Sequence, residues 1–117
     1  MDVSLSTERS DRLIATLRDG QQEAVVTASS GPAAGAELLA ALEQARDDDY
    51  GECFWLEQTG QYWWMFRRDD KAVEAVVLWS SGTVTGWQHV FRASDDLSSL
   101  VDNVRTQLEA SSAEDGH

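Results

Sequence analysis

All five tryptophans of this 117-residue chain lie between Cys53 and Phe91; they are Trp55, Trp63, Trp64, Trp79 and Trp87. Aromatic and β-branched residues favour extended backbone, so this segment is predicted to form consecutive strands of one sheet. Burying five indole rings at about 200 Å² each would contribute roughly 25 kcal/mol of gross transfer free energy, an upper bound for the folded chain. The aromatic segment therefore explains how a small domain is held together, and it does not by itself indicate a reaction.

Length and cysteine content restrict the class of protein. A chain of 117 residues fits one domain, which we place at residues 1–110, followed by a flexible acidic tail at residues 111–117. The single cysteine, Cys53, excludes an internal disulfide and a cysteine-built zinc site. The first residues lack the basic and then apolar run of a signal peptide, and no apolar stretch approaches the roughly 20 residues of a membrane span. These features predict a cytoplasmic protein that does not bind membranes.

The acidic residues are concentrated outside the aromatic segment. The formal net charge is −12, yet within residues 52–92 five acidic residues nearly balance four basic ones. This charge repels nucleic-acid phosphates and attracts basic partners over about 10 Å at 0.1 M salt. We therefore expect a protein partner and no nucleic acid; the equal alternative is that the acidity only maintains solubility.

The first third of the chain has an ambiguous hydrophobic pattern. Residues 3–7 alternate apolar and polar side chains and predict a short strand. Residues 12–29 fit either a helix that ends at Gly20 or a hairpin that turns at Asp19-Gly20. We favour the hairpin because residues 18–31 resemble residues 68–82, a predicted hairpin arm.

Two helices are predicted from caps and apolar spacing. Pro32 suits the first turn of a helix, and its apolar face is formed by Leu38, Leu39, Leu42 and Ala45. Ser94 is the expected N-cap of a second helix. The apolar stripe of that helix consists of Leu97, Leu100, Val101, Val104 and Leu108.

Four strands are predicted between these helices, at residues 52–57, 61–68, 72–79 and 83–92. Tight turns at Thr59-Gly60 and Asp69-Asp70 would place Trp64 opposite Trp55 on one side and Ala75 on the other. The face expected to pack under the helices carries Cys53, Trp55, Tyr62, Trp64, Phe66, Val73, Ala75, Val77 and Trp79. The predicted fold is α+β, a mainly antiparallel sheet of five or six strands with two principal helices packed against it.

The opposite face of the predicted sheet is too apolar for a solvated face. It carries Phe54, Leu56, Trp63, Met65, Arg67, Glu74, Val76 and Leu78. Either other parts of the chain cover it or another molecule does. A three-residue loop at 80–82 would turn Trp87 and His89 to the core, and a two-residue loop would reverse them. We include both residues in the candidate interaction surface.

Reactive side chains are few. Cys53 lies among aromatic residues with no nearby base, so a buried small hydrophobe is favoured over a nucleophile. His89 is the only histidine apart from the last residue, and a sheet residue is favoured over a catalytic one. The acidic run 47–49 with Glu52 lacks the spacing of a calcium loop. No catalytic residue, metal ligand or cofactor is therefore predicted.

The second half of the chain carries a resemblance. The segments Gly51–Glu57, Gly60–Trp64, Val76–Trp79 and His89–Phe91, followed by an amphipathic helix, resemble a group of small uncharacterised bacterial proteins. The order of strand, helix, strands and helix, together with the acidity, also resembles immunity proteins that neutralise contact-dependent bacterial toxins. This resemblance covers residues 51–108 and implies no active-site residues.

Three functions remain open. The leading one is a non-enzymatic protein-binding module, in its most specific form an acidic immunity-type inhibitor that masks a basic surface. The second is a structural homodimer or adaptor built on the apolar sheet face. The third is a ligand-binding or catalytic domain with a Trp-lined pocket, whose polar groups would be His89, Glu74, Glu57 and Tyr62.

Overall fold

The computed structural model describes residues 1–8, 12–82 and 86–115. Along these residues the elements are β1 Asp2–Glu8, β2 Arg12–Asp19, β3 Gln22–Ala28, α1 Gly31–Asp48, β4 Tyr50–Glu57, β5 Gly60–Asp69, β6 Ala72–Ser81, β7 Gln88–Asp96 and α2 Leu97–Asp115. The fold is α+β with antiparallel strands and two helices, as the sequence predicts. The prediction of one sheet of five or six strands is wrong. The described strands number seven and form two sheets, β1-β2-β3 and β4-β5-β6-β7.

The ambiguous segment after β1 is a hairpin, which confirms the favoured reading. Strands β2 and β3 pair with Asp19 opposite Gln22, so the loop is Gly20-Gln21 and lies one residue later than predicted. Gly20 opens this loop with φ +60°, and Asp70 opens the β5–β6 loop with φ +58°. Glycine and aspartate tolerate this left-handed conformation, so the two similar stretches of sequence form similar turns.

The strand registers in the second sheet differ from prediction by two residues. Trp64 pairs with Cys53 and Val77, where the sequence predicted Trp55 and Ala75. The cause is that the loops are Gln58-Thr59 and Asp70-Lys71, each one residue away from the expected turn. Because side chains alternate with a period of two, a two-residue shift keeps each side chain on its predicted face.

The helix ends are set by local polar contacts. Pro32 lies in the first turn of α1 as predicted, and Arg68 donates to the carbonyl of Arg46 in its last turn. The predicted N-cap of α2, Ser94, is wrong because β7 continues to Asp96. The Asp96 carboxylate instead accepts from the backbone N–H of Ser99 at 3.0 Å, which lowers the pKa of Asp96.

The end of α2 extends past the predicted boundary of the domain. The predicted tail covers residues 111–117, and the backbone of residues 111–115 belongs to α2. Residues 116 and 117 lie outside the described part of the chain.

One hydrophobic core joins both sheets and both helices. Helix α1 packs on β4 and β5, whereas α2 packs on β1, β7 and α1. The largest fully buried side chains include Trp55, Trp64, Phe66 and Phe91. The indole N–H of Trp55 donates to the carbonyl of Ala34 at 3.1 Å, which ties β4 to α1. Neither described helix is long and apolar enough to cross a bilayer.

Helix α1 crosses β4 at Gly51. A Cβ atom at this position would overlap the backbone carbonyl group of Ala41 and would lie 3.0 Å from the backbone nitrogen of Ala45. Glycine is therefore required here for the close approach of helix and strand.

Candidate functional site

The open face is the side of the β4–β7 sheet that points away from the helices. Each of the ten residues proposed from the sequence lies on it: Phe54, Leu56, Trp63, Met65, Arg67, Glu74, Val76, Leu78, Trp87 and His89. Phe54 is 39% exposed and Leu56 is 61% exposed. The rest of the described chain therefore leaves this face accessible to solvent.

A bulge in β7 decides where Trp87 and His89 lie. Phe91 pairs with Val77 and is buried, yet His89 pairs with the next residue of β6, Leu78. Val90 is thus a bulge residue without a partner in β6. The side chains that precede it in β7 therefore point to the opposite face from the one that strict alternation would give them. The sequence left open whether Trp87 and His89 point to the core or away from it, and in the structure both point away from the core. The sequence analysis placed the loop at residues 80–82, whereas β6 continues to Ser81. Residues 83–85, predicted to begin the last strand, lie outside the described chain.

Three rings form an aromatic cluster on the open face. Phe54 stacks on Trp63 with ring centroids 5.6 Å apart. Trp87 leans on both, at 5.2 Å from Trp63 and 6.4 Å from Phe54. Since Trp87 remains 40% exposed, the cluster presents a preformed apolar surface to solvent.

Polar contacts hold the edges of this cluster in place. One carboxylate oxygen of Glu52 accepts from the indole N–H of Trp63 and from the hydroxyl of Tyr50, both at 2.8 Å. Partial burial and the Glu52 carboxylate raise the pKa of Tyr50 to about 12, so its hydroxyl stays protonated as a donor. Farther along the open face, Arg92 donates twice to Glu74, at 2.9 and 3.2 Å.

The residues of the open face that the sequence analysis missed include Tyr50, Glu52 and Arg92, whose side chains make the polar contacts described above. Tyr50 and Glu52 share the parity of Phe54 along β4, so strict alternation could have found them. Arg92 of β7 lies opposite Val76 of β6, and the side of the sheet to which it points depends on the register of β7. Four of the five exposed large hydrophobic residues in the described chain lie on the open face: Tyr50, Phe54, Leu56 and Trp87.

The polar residues of the Trp-lined pocket hypothesis are not brought together. His89 and Glu74 lie on the open face, and Glu74 is paired with Arg92. Glu57 and Tyr62 lie on the opposite side of the sheet, where Glu57 binds Arg12 at 2.9 Å. The sheet itself therefore separates the two halves of that proposed catalytic set.

Cys53 is a buried side chain on the core face, as predicted, and its strand neighbour is Trp64, where the sequence suggested Phe66. Burial, with a further contribution from the Glu37 and Glu52 carboxylates, raises the pKa of its thiol to about 12. A thiol must ionise to react, so almost none of it is reactive at neutral pH.

We expect native Cys53 to be alkylated by iodoacetamide at pH 8 at least about a hundredfold more slowly than a free cysteine. Labelling of the same protein in guanidinium chloride, followed by mass spectrometry, is the control because unfolding restores an ordinary thiol pKa. Native labelling at the rate of the unfolded chain would contradict the buried position of Cys53.

Among the described residues, no group of three or more His, Cys, Asp or Glu side chains is placed to hold a metal ion. The resemblance of residues 51–108 to small uncharacterised bacterial proteins and the looser architectural resemblance to immunity proteins both stay predictions. Comparison of the chain with protein-family models, with curated proteins and with solved structures gave no match.

Proposed function

We propose that this protein is a protein-binding module that contacts its partner through the open face of the β4–β7 sheet. The observation that carries the proposal is the solvent-exposed aromatic cluster of Phe54, Trp63 and Trp87. Contiguous exposed apolar surface on a small soluble domain marks an interaction site more often than it serves the fold.

The composition of the open face matches that of binding hot spots. Trp, Tyr and Arg are enriched among the residues that dominate protein interfaces. Here Trp87 and Tyr50 present exposed ring surface. Arg67 lies opposite Tyr50 in β5, and Arg92 lies on the same face of the sheet. The Tyr50 and Trp63 rings are already held by hydrogen bonds to Glu52, so these two side chains lose little entropy on binding.

The partner that fits this module carries a basic surface. The net charge is −12, while the open face itself carries both Glu52 and Glu74 and both Arg67 and Arg92. Long-range attraction would accelerate association, and the aromatic cluster would supply most of the contact energy. An immunity-type inhibitor, which covers a basic surface of a toxin, is the most specific form of this proposal.

The test compares capture by the wild type with capture by two variants. Trp87→Ala removes an exposed ring of the cluster, and we expect it to weaken binding of the captured partner at least about 30-fold, the equivalent of about 2 kcal/mol. Val25→Ala is the matched control because Val25 is an exposed apolar residue on the other sheet. Titration of the purified partner by calorimetry measures both affinities.

The salt dependence of the binding rates distinguishes long-range electrostatic attraction from short-range contact energy. Raising the salt concentration from 0.05 to 0.5 M is expected to slow association much more than dissociation, because only the long-range attraction is screened. Equal affinity for wild type and Trp87→Ala would reject the open face as the binding surface. A salt-independent association rate would reject the basic partner.

A homodimer through the same face is the second candidate. It is favoured by the presence of both charge signs on the open face, since a two-fold axis could place Glu52 or Glu74 of one copy near Arg67 of the other. Light scattering decides between the candidates. A dimer mass for the wild type and a monomer mass for Trp87→Arg would support the homodimer, and a monomer at high concentration would exclude it.

A further inference from the structure

The outer edge of β4 presents backbone groups that no strand of the described chain pairs. The two-residue loop Gln58-Thr59 puts Glu57, Trp55 and Cys53 in hydrogen-bonded register with β5. The residues between them therefore direct their N–H and C=O groups away from β5. The carbonyl of Leu56 confirms this direction, because it accepts from the backbone N–H of Ser29 at 3.1 Å.

The contrast with the first sheet shows how an edge is normally protected. At the outer edge of β1, the Gln107 side chain of α2 accepts from the N–H of Leu5 and donates to the carbonyl of Val3, both at 2.6 Å. No such contact is made by the outward backbone groups of Glu52 and Phe54 with the described residues. Open strand edges of this kind are templates for another strand.

A groove of about 660 Å³ runs along this edge, between β4 and α1. Four of the six α1 residues that line it are alanines, among them the exposed Ala33 and Ala40. Its wall on the strand side is the edge from Glu52 to Leu56. Alanine side chains leave enough room for an extended backbone to approach β4 with small apolar side chains directed at the helix.

The negative charge of the groove favours a positively charged ligand. Two acidic residues, Glu37 and Glu52, line it, and its lining contains no lysine or arginine. Glu37 belongs to α1 and Glu52 to β4, so each wall of the groove carries a carboxylate. Two copies of this chain paired edge to edge would bring like charges together, which disfavours a second copy as the occupant.

We propose that the β4 edge binds an extended, lysine- or arginine-containing segment of another protein, which adds to the sheet as a fifth strand. Its backbone would pair with the outward groups of Glu52 and Phe54. Its small apolar residues would contact the alanines of α1, and its basic residues would reach Glu37 and Glu52. This site shares Glu52, Phe54 and Leu56 with the margin of the open face, but it uses the backbone groups of the β4 edge and does not depend on the function proposed for that face.

The experiment uses a fluorescein-labelled peptide of eight residues that alternates lysine and valine, with binding followed by anisotropy. Two analogues carry N-methyl groups, one on its lysines and one on its valines. Alternate residues of an added strand direct their N–H groups at β4, so we expect one analogue to bind at least about tenfold more weakly and the other to retain affinity. A peptide in which glutamate replaces lysine should not bind.

Two charge reversals test the position of the site without disturbing the core. Glu37→Lys places a cation in the groove and should weaken binding of the lysine–valine peptide at least about tenfold. Glu109→Lys makes the same change of net charge at an exposed position of α2 and should weaken binding less than about threefold, since only the long-range field changes. Amide exchange measured by NMR should slow at Glu52 and Phe54 when the peptide binds.

Each outcome decides the proposal. Equal affinities of the two N-methylated analogues, or equal effects of the two charge reversals, would overturn it in favour of non-specific attraction. Protection of the Glu52 and Phe54 amides in the protein alone, rising with concentration together with a doubled mass, would overturn it in favour of self-pairing. Loss of open-face binding in Trp87→Ala with unchanged peptide affinity would support two separate sites.

Discussion

Replacing Trp64 by alanine is expected to lower the free energy of unfolding by about 3 to 5 kcal/mol. The indole of Trp64 is 1% exposed and packs on Trp55, with ring centroids 4.8 Å apart, and on Phe66 at 6.1 Å. Truncation would remove this burial and leave a cavity between the sheet and α1 that the surrounding strands can only partly fill. The loss is a large share of the roughly 5 to 15 kcal/mol that holds a domain of this size.

The adjacent residue provides the control. Trp63 lies on the open face, where its truncation removes the contacts with Phe54 and Trp87 and a hydrogen bond to the exposed Glu52. We expect Trp63→Ala to cost about 1 to 1.5 kcal/mol, because no closed cavity forms. Urea unfolding followed by circular dichroism measures both variants. Equal losses at the two positions would contradict the assignment of the two sheet faces.

Substitution of Gly51 by alanine should cost about 3 kcal/mol or more, the largest effect expected from adding a single methyl group in this chain. The new Cβ atom would meet backbone atoms of Ala41 and Ala45, and a helix backbone cannot move aside as a side chain can. Helix α1 would have to move away from β4, which would also strain the hydrogen bond between Trp55 and Ala34.

Gly82→Ala is the matched control, since a Cβ atom there would lie 3.7 Å from its nearest neighbour, the carbonyl oxygen of Thr59. We expect Gly82→Ala to change stability by less than about 1 kcal/mol, and alanine's smaller unfolded-state entropy favours a gain. Thermal unfolding of the two variants side by side tests the comparison. A Gly51→Ala protein as stable as Gly82→Ala would show that the helix does not approach β4 this closely.

The faces of the second sheet were predictable from the sequence although the strand pairing was not. Alternation along β4, β5 and β6 sorted Trp63 from Trp64 correctly, because a turn misplaced by one residue changes the register by two. The position of Trp87 was not predictable, because the apolar–polar pattern of the sequence does not show that Val90 forms a bulge. The open face could thus be predicted for β4, β5 and β6 and not for β7.

The division into two sheets was also beyond the sequence pattern. Apolar alternation identifies β3 and β4 as strands, but it does not say which strands pair. Helix α1 separates them in the chain, and Ser29 joins their ends by donating both its backbone N–H and its hydroxyl to the carbonyl of Leu56. The edge groove follows from that division, so it could not be predicted either.

The bulge residue Val90 determines which side chains the beginning of β7 presents on the open face. Deleting Val90 would leave Phe91 in the core but turn the preceding part of the strand over, and Trp87 would leave the cluster it forms with Trp63. Losing one residue at this point would therefore exchange the side chains that this end of β7 presents on the two faces of the sheet, while the pairing from Phe91 onward would stay the same.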